Sequence, residues 1–533
     1  MARRRNHWGW GYEDELPSPQ EVRAAAAGIA PALGFGSTDV EDPVPVERLK
    51  LPAPRLEPPP ALRELCSTEA HARASHAYGK GYRDVVRAFR GRFDHPPDVV
   101  AFARDERDVE AVLEWCEDAN AALVPYGGGT SVVGGVEPRL PDGRYQGAVS
   151  LDLGALDRVL EVDPVSRAAR IQAGAPGPRL EEQLAERGLT LRHFPQSFQL
   201  STLGGWIATR AGGHFATLYT HVDELIESVR AITPRGAWES RRLPGSGAGP
   251  SPDRLLIGSE GTLGVITEAW VRILPRPTHR ASAGVRFAEF GAGAEAVRAI
   301  AQSGLHPANC RLIDAAEAAL TSGGDGEHAL LVLGFESADH PVDAGMERAL
   351  ALAAEHGGTW NEVRAGGREG AVGAWREAFL RAPYLRNTFV AMGVFSETFE
   401  TAITWERFPE FHARVTEAAA AALRETCGAG SVTCRFTHVY PDGPAPYFTM
   451  LAPARRGEEL DQWDAIKRAA SEAVIAAGGT ITHHHAVGRD HRPWYDRQRP
   501  DPFAAALRGA KAAVDPAAIC NPGVVIDPHP PRR

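Results

Sequence analysis

The chain has 533 residues, of which 43% are hydrophobic and 24% charged, and its formal net charge is −10. This length exceeds one ordinary domain and fits about three to four domains, or two large ones in an α/β enzyme. A chain with this net negative charge shows no excess of basic residues that would bind a nucleic acid. We therefore expect small molecules as partners and no nucleic acid.

The six cysteines are scattered along the chain without a C-x-x-C pair. This usage argues against a zinc ribbon, an iron–sulfur cluster and a disulfide framework, and it indicates reduced thiols in a cytoplasm. No apolar segment follows the basic residues at the start, and no run approaches the ~18 apolar residues of a membrane span. The ending at 528–533 is no recognisable peroxisomal address. We therefore expect neither a signal peptide nor a membrane-spanning helix.

Four regions are predicted in chain order. Residues 1–84 form an N-terminal arm, Pro-rich up to about residue 60, followed by a helical segment. Residues 85–280 form a first domain, which ends near a Pro-Arg-Pro break. Residues 281–495 form a second domain, and residues 496–533 form a C-terminal segment that returns to the first domain.

The first domain begins with a β-α-β pattern. Residues 99–102 predict a strand, residues 105–120 have apolar positions at helical spacing, and residues 122–125 predict the next strand. In the second domain, Ala-rich amphipathic stretches alternate with strands such as 330–333, which favours an α+β unit with an antiparallel sheet. A helix at 503–514 is predicted in the C-terminal segment.

A glycine-rich segment follows the strand at 122–125 directly. Its consecutive glycines at 127–129 allow positive φ angles and can aim successive N–H groups into one concavity, which suits a pyrophosphate. Thr130 and Ser131 add hydroxyl donors. Taken alone, the segment fits a plain glycine turn equally well.

Two further glycine-rich segments follow at 196–210 and 258–267. Their small residues permit close approach to a flat ligand, and Arg210 can serve phosphate or flavin oxygens. One such segment is weak evidence for a cofactor, whereas three in this order, about 70 and 55 residues apart, are strong evidence.

Together the three segments resemble the FAD-binding domain of the vanillyl-alcohol-oxidase (PCMH-type) flavoproteins over roughly residues 90–280. The resemblance implies an α+β fold, with a PCMH-type FAD-binding domain of two subdomains and an α+β cap with an antiparallel sheet. Covalent attachment in that superfamily usually uses a His or Cys near these loops, and the first segment carries neither, so non-covalent FAD is implied. The implied FAD contacts are Pro125, Tyr126, Gly127, Gly128, Gly129, Thr130, Ser131, Gln196, Ser197, Phe198, Gln199, Leu200, Ser201, Thr202, Thr209, Arg210, Ala211, Gly212, Glu260, Gly261, Thr262, Leu263, Gly264, Val265 and Ile266.

Within that superfamily the chain is similar to the alkylglycerone-phosphate synthases. The similar segments are GWGY at 9–12, CRLID at 310–314, FET at 399–401, PYF at 446–448 and HHHAVG at 483–488. The resemblance implies a redox-neutral exchange of the acyl chain of acyl-dihydroxyacetone phosphate for a long-chain alkyl ether, as in ether lipid synthesis. A lipid substrate, a homodimer and a cytoplasmic location with peripheral membrane contact are also expected.

The resemblance assigns catalytic positions to Tyr447, His483, His484, His485 and His193. A phenol with a pKa near 10 is a poor base at neutral pH, so a nearby cationic His or Arg would have to lower the pKa of Tyr447. Three adjacent histidines on a strand would alternate between its faces, and their spacing is no standard zinc signature, so no metal is predicted. A tyrosine of the cap core is the other interpretation of Tyr447.

Arg386 and Arg311 are the substrate-binding positions that the resemblance implies. The planar guanidinium of Arg386 suits a phosphate, although an arginine in a surface ion pair is equally compatible with the sequence.

An FAD-linked oxidase or dehydrogenase of a 2-hydroxy acid or another alcohol is the alternative. The Asn-Pro-Gly ending at 521–523 is similar to such dehydrogenases. Their metal-binding motifs, however, have a second His and a Glu where this chain has Tyr447 and His484, which removes two ligands. A binding module without activity is a third interpretation, and the retention of Tyr447, Arg386 and the His triplet argues against it.

Overall fold

The N-terminal region is an arm whose first residues are packed into the body of the molecule. The computed structural model describes residues 3–141, 143–321, 324–365 and 370–527, so parts of both predicted terminal segments (1–2 and 528–533) lie outside the described residues. Helix α1 (Pro19–Leu33) begins at a capping box formed by Ser18 and Glu21 and ends at Gly34. The region also contains α2 (Ala70–Ser75), α3 (Tyr82–Phe89) and the 3-10 turns Glu13–Glu15, Val46–Arg48 and Pro60–Leu65.

A four-stranded sheet forms the first half of the next domain. Its strands are β1 (Cys66–Ser67), β2 (Val99–Phe102), β3 (Ala122–Tyr126) and β4 (Ala148–Asp152). They lie in the order β1-β2-β4-β3, with β4 parallel to both β2 and β3. Helix α4 (Glu106–Asp118) begins after Asp105, whose side chain accepts a hydrogen bond from the backbone N–H of Asp108. The predicted strand–helix–strand pattern is therefore confirmed to within two residues.

An antiparallel five-stranded sheet forms the second half of this domain, in the order β5-β6-β10-β8-β9. Its core includes Leu203, Trp206 and Ile207 of helix α6, which pack with inward residues of the strands. The elements are β5 (Val159–Asp163), β6 (Ala168–Gln172), α5 (Gly177–Ala185), α6 (Leu203–Thr209), the 3-10 turn Val222–Glu224, β8 (Ile226–Thr233), β9 (Gly236–Glu239), α7 (Asp253–Leu256) and β10 (Val265–Arg272), with the separate pair β7 (Leu189–Thr190) and β11 (Leu274–Pro275). The two-part architecture implied for the FAD-binding domain is confirmed.

A six-stranded antiparallel sheet forms the cap, in the order β12-β14-β13-β16-β17-β15. Its strands are β12 (His279–Phe287), β13 (Asn309–Ile313), β14 (Ala329–Ser337), β15 (Val394–Glu400), β16 (Ser431–Val439) and β17 (Pro444–Pro453). Its helices are α8 (Phe290–Gln302), α9 (Ala315–Thr321), α10 (Asp343–Glu355), α11 (Gly370–Ala391), α12 (Phe408–Cys427, after the 3-10 turn Trp405–Arg407) and α13 (Glu459–Ala476). The predicted strand at 330–333 lies inside β14, and the predicted antiparallel cap sheet is confirmed.

The C-terminal segment contacts the first domain. After α14 (Arg492–Gln498) and α15 (Asp501–Val514), the chain runs beside β3, where the backbone N–H of Leu123 donates to Ile519. The buried ammonium of Lys511 donates to the carbonyl oxygens of Thr262 and Cys520, 2.6 and 2.7 Å away. These bonds tie the segment to the third glycine-rich loop. No helix among the described residues is long and apolar enough to cross a bilayer.

Candidate active site

A cavity of about 550 Å³ lies between the glycine-rich segments of the first domain and the antiparallel sheet of the cap. Both domains contribute residues to its walls. The candidate residues that line it are Pro125, Tyr126, Gly127, Gly128, Gly129, Thr130, Ser131, Gln196, Ser197, Ser201, Thr202, Thr209, Ala211, Gly212, Glu260, Gly261, Gly264, Ile266, Arg311, Arg386, Tyr447, His484 and His485.

The first two glycine-rich segments pack directly against each other. A Cβ on Gly127 would overlap the hydroxyl of Thr202, and a Cβ on Gly128 would overlap the carbonyl oxygen of Leu200. Gly129 has a φ of +65°, a left-handed conformation that side-chain-bearing residues rarely adopt. The glycines are therefore required for a close-packed cradle, which goes beyond a plain turn and fits a ligand that approaches the backbone.

Seven of the expected FAD contacts lie outside the cavity lining. Leu200, Leu263 and Val265 are buried in hydrophobic clusters, and the hydroxyl of Thr262 is bonded to the carbonyl oxygen of Ser259. Phe198 packs edge-on against Phe194, Gln199 faces solvent, and the half-exposed guanidinium of Arg210 pairs with Asp223. The side chains of these seven residues do not reach the cavity, although other residues of the same segments line it.

Glu260 connects the third glycine-rich segment to residues 483–488, which we call the histidine loop. Its carboxylate accepts hydrogen bonds from the backbone N–H groups of Val487 and Gly488, at 2.8 and 3.0 Å. Burial raises the pKa of Glu260 to about 7, although these two bonds oppose the shift. The protonation state of Glu260 is therefore coupled to the relative position of the third glycine-rich segment and the histidine loop.

His483, His484 and His485 lie on a loop and not on the strand that the sequence analysis considered for them. The fully buried carboxylate of Glu400 accepts hydrogen bonds from the backbone N–H groups of all three, at 2.6, 3.1 and 2.9 Å. Three successive N–H groups that point at one anion cannot also join a sheet ladder, which explains the loop. Glu400 thus holds the triplet beneath the cavity.

The histidine side chains form one connected cluster. The Nδ1 atoms of His483 and His484 are 3.1 Å apart, and His483 Nε2 lies 2.7 Å from the hydroxyl of Tyr440. Burial lowers the pKa of His484 and of His485 to about 3, so both are neutral at physiological pH. They are not the cations that the sequence suggested for lowering the pKa of Tyr447.

His438, which the sequence analysis did not assign to the site, joins this cluster from β16. Across the described part of the chain, one group of three possible metal ligands was found, formed by nitrogen atoms of His438, His483 and His484 within 4.8 Å of one another. A set of imidazoles alone lacks the carboxylate of the dehydrogenase motif. The predicted absence of a metal stays a prediction.

Tyr447 lies on β17 with its side chain almost completely buried. The guanidinium carbon of Arg435 is 3.9 Å from its ring centroid, and the ring of His484 is stacked at 6.2 Å. Burial raises the pKa of Tyr447, while the positive charges of Arg435 and Arg386 oppose that shift. Of these two cations, Arg435 has the larger effect on the phenol, and the sequence analysis had not singled it out.

Three buried arginines, Arg311, Arg386 and Arg435, line the part of the cavity around Tyr447, which we call its arginine end. Two carboxyl groups line the cavity, Glu260 on the third glycine-rich segment and Glu317, which pairs with Arg435. Burial lowers the pKa of Arg311 to about 9, and Arg435 contributes to this shift. The Nε atoms of Arg386 and Arg435 are buried without a hydrogen-bond partner among the described residues. Excess positive charge with unsatisfied donors fits a bound anion such as a phosphate.

His193 does not line the cavity but lies directly behind Gly213, which does. Its ring packs against Trp206 at 5.1 Å, and neither ring nitrogen has a hydrogen-bond partner among the described residues. Burial lowers its pKa to about 3. In this position it can act on a ligand only through the wall of the cavity.

Family models match the two domains separately. A model described as "FAD binding domain" matches residues 97–240, and one described as "FAD linked oxidases, C-terminal domain" matches residues 276–525. FAD is therefore the cofactor of this chain. The glycine cradle, whose close contacts leave no space for a Cβ, and the adjoining cavity fit such a dinucleotide.

Similar proteins cover nearly the full chain. Alkyldihydroxyacetonephosphate synthase of Trypanosoma brucei brucei is 30% identical over 515 residues, which are 90% of this chain and 82% of that protein. The protein of the same name from Caenorhabditis elegans is 30% identical over 86% of this chain and 81% of its own length. A solved structure of an alkyldihydroxyacetonephosphate synthase superimposes with a TM-score of 0.81, at 23% identity and over 97% of this chain and 98% of that one.

Proposed function

This chain belongs to the family of FAD-dependent alkyldihydroxyacetonephosphate synthases, and from this we propose that it exchanges the acyl chain of an acyl-dihydroxyacetone phosphate for the alkyl chain of a long-chain alcohol. The fatty acid leaves as the oxygen of the alcohol bonds to the substrate carbon, so the net reaction consumes no oxidant. The observation that carries the proposal is the convergence of Tyr447, three arginines and the histidine loop on the cavity beside the FAD cradle.

The arginine end of the cavity is the proposed phosphate site. Arg386 and Arg311 were assigned to the substrate by resemblance, and Arg435 joins them at the same end. A planar guanidinium can donate two parallel hydrogen bonds to a phosphate, and the buried, unpartnered Nε of Arg386 is such a donor. The ester-bearing carbon of a substrate held in this way would lie near Tyr447.

Proton transfer is the proposed role of Tyr447 and the histidines. When bound, the flavin supplies an electron-accepting ring for chemistry at the substrate carbon. Tyr447 holds and returns the proton of that carbon, and Arg435 stabilises the phenolate form. His484 and His485 are neutral and each has a free ring lone pair, and we propose that they accept the proton of the incoming alcohol once the bound substrate phosphate has raised their low pKa. His193 would support this arrangement from behind Gly213.

The long chains are proposed to occupy the apolar part of the cavity. This part is lined by Ile29 and Leu33 of α1 and by Leu385 and Phe389 of α11. Leu385 and a second lining residue, Leu320, are 39% and 50% exposed, and we propose that they form an apolar rim at the cavity mouth. We propose that this rim contacts a membrane surface in a cytoplasmic protein, and flotation with lipid vesicles would test it.

A homodimer is also proposed on the basis of the family resemblance. Light scattering on the purified protein would give its mass in solution and decide between a monomer and a dimer.

The activity is tested by incubating the FAD-loaded protein with palmitoyl-dihydroxyacetone phosphate and hexadecanol. We expect an ether product by mass spectrometry, one equivalent of palmitate and no oxygen uptake. Bleaching of the flavin by D-lactate or another 2-hydroxy acid, with no ether product, would instead support the dehydrogenase alternative.

A further inference from the structure

The GWGY segment near the N-terminus belongs to a loop that forms part of the cavity wall. Residues 6–11 are buried, and Trp10, which is 4% exposed, lines the cavity beside Arg386. Trp8, two residues earlier, packs edge-on against Phe89 at 5.2 Å and is not part of the lining. The loop thus presents one of its two tryptophans to the ligand space.

Asn387 fixes this loop to helix α11 through a pair of backbone contacts. The N–H of Trp10 donates to Asn387 Oδ1, and Asn387 Nδ2 donates to the carbonyl oxygen of Trp10, both at 2.9 Å. A Cβ on Gly9 would overlap the side-chain amide of Asn387, so the contact requires glycine at that position. The loop is therefore attached to the residue that follows Arg386.

A single carbonyl group, that of Lys80, joins Trp10 to Arg386. The indole Nε1 of Trp10 donates to this oxygen at 3.2 Å, and Nη1 of Arg386 donates to it at 2.9 Å. The backbone N–H of Lys80 donates to the carbonyl oxygen of Ser131 in the glycine cradle. The backbone of one residue, Lys80, thus connects the loop, the proposed phosphate arginine and a cofactor segment.

We propose that Trp10 is a positioning residue for Arg386, which it orients for the substrate phosphate through the Lys80 carbonyl and through Asn387. This inference rests on the proposed function. Among the described residues, the Arg386 guanidinium donates one hydrogen bond, to the carbonyl oxygen of Lys80. The direction of that carbonyl therefore sets the direction of the other guanidinium N–H groups, among them the unpartnered Nε. Trp10 donates a second hydrogen bond to the same carbonyl oxygen.

The test is the variant Trp10→Phe, which keeps an aromatic ring in the wall but removes the indole donor. Loss of one such hydrogen bond corresponds to about a fivefold to tenfold change in an equilibrium. We expect KM for palmitoyl-dihydroxyacetone phosphate to rise by that factor while kcat changes by less than about twofold and FAD content stays normal. Trp8→Phe is the matched control and should leave KM unchanged.

A double-variant cycle separates positioning from general destabilisation. If Trp10 acts through Arg386, Trp10→Phe should have no further effect on KM in an Arg386→Ala background. An equal effect in both backgrounds, or an equal effect of Trp8→Phe, would overturn the inference. Asn387→Ala removes the two hydrogen bonds to the Trp10 backbone without changing Trp10 itself. If Trp10→Phe does not fold, the effect of Asn387→Ala on KM in the wild-type and Arg386→Ala backgrounds is compared instead.

The proposed function can fail separately in the same experiment. If Arg386→Ala leaves KM unchanged, the phosphate assignment is wrong, and the inference falls with it. If Arg386→Ala raises KM but Trp10→Phe and Asn387→Ala do not, the phosphate site stands and only the positioning role is wrong.

Discussion

The guanidinium carbon of Arg435 lies 3.9 Å from the ring centroid of Tyr447. This contact places a positive charge against a buried phenol, and among the groups that oppose the rise of its pKa on burial Arg435 has the largest effect, ahead of Thr398 and Arg386. Arg435 is itself held by Glu317 of α9, whose second carboxylate oxygen accepts from the hydroxyl of Thr433. The electrostatic environment of the phenol on β17 is therefore built by residues from two other elements, β16 and α9.

Tyr447→Phe removes the hydroxyl that is proposed to move the substrate proton. General acid–base groups typically contribute about 10²–10⁴-fold to a rate, so turnover should fall by at least that lower factor. FAD content, read from the visible spectrum, should be normal because the ring is retained. Tyr495→Phe, outside the cavity lining, is the control. Wild-type turnover in Tyr447→Phe would exclude the tyrosine from the chemistry.

Arg386→Ala should weaken the binding of the phosphate-bearing substrate. A charge-assisted hydrogen bond contributes about 1.5–3 kcal/mol, which corresponds to roughly a tenfold to hundredfold rise in KM. Arg381→Ala provides a matched control on the same helix, because that side chain is 74% exposed and pairs with Glu377. Equal KM values for the two variants would show that Arg386 does not bind the substrate.

The sequence predicted the parts of the site that depend on short segments. The cradle at 127–129 could be recognised because two further glycine-rich segments follow it in the order of a known family, and Tyr447 and Arg386 could be placed by resemblance. Arg435 and Glu400 were not assigned to the site, because their roles depend on contacts between distant strands and loops. Ile313 of β13 pairs with Arg435 of β16, a register that no local pattern reveals.

Two parts of the site lie in other surroundings than the sequence analysis expected, because each has a partner elsewhere in the fold. Arg210 was expected to reach the cofactor, but Asp223 provides a closer anion at 2.8 Å. The histidine triplet was considered as a strand, but Glu400 binds its backbone donors. Such partners come from outside the segment, so a local pattern could not supply them.

FAD should be released when the purified protein is precipitated with acid. The prediction rests on the first glycine-rich segment, which carries no His or Cys for attachment. The yellow colour should appear in the supernatant after centrifugation, and its absorbance should match that of free FAD. Colour that stays with the pellet after washing would show a covalent bond and contradict the prediction.

Glu260 should make the stability of the loaded protein depend on pH. Its pKa is about 7 in the folded chain against an ordinary value of 4.5, so the folded chain holds more protons than the unfolded chain between these values. The free energy of unfolding therefore falls as pH rises through this window, by up to about 3 kcal/mol, and no further above it. Between pH 4.5 and 7.5 the thermal midpoint of the wild type should fall more than that of Glu260→Gln. Parallel pH curves for the two proteins would disprove the coupling.

Glu400→Gln should misplace the histidine loop while leaving its side chains intact. The carboxylate of Glu400 accepts from the backbone N–H groups of His483, His484 and His485 and from the hydroxyl of Thr482. The amide nitrogen of glutamine cannot accept a hydrogen bond, so at least one of these donors would lose its partner. A shift of about 1 Å in a reacting group can cost about 10²-fold in rate.

We therefore expect kcat to fall by about tenfold to a hundredfold in Glu400→Gln. The change in KM should be small, because the arginines proposed to bind the phosphate lie on other elements than Glu400. Glu410→Gln is the control, since that carboxylate is 79% exposed and pairs with Arg414 on the surface of α12. The visible spectrum should show normal FAD content in both variants. A kcat for Glu400→Gln within twofold of the control would mean that the position of the histidine loop does not limit the reaction. The proposal that His484 and His485 accept the proton of the alcohol would then be wrong.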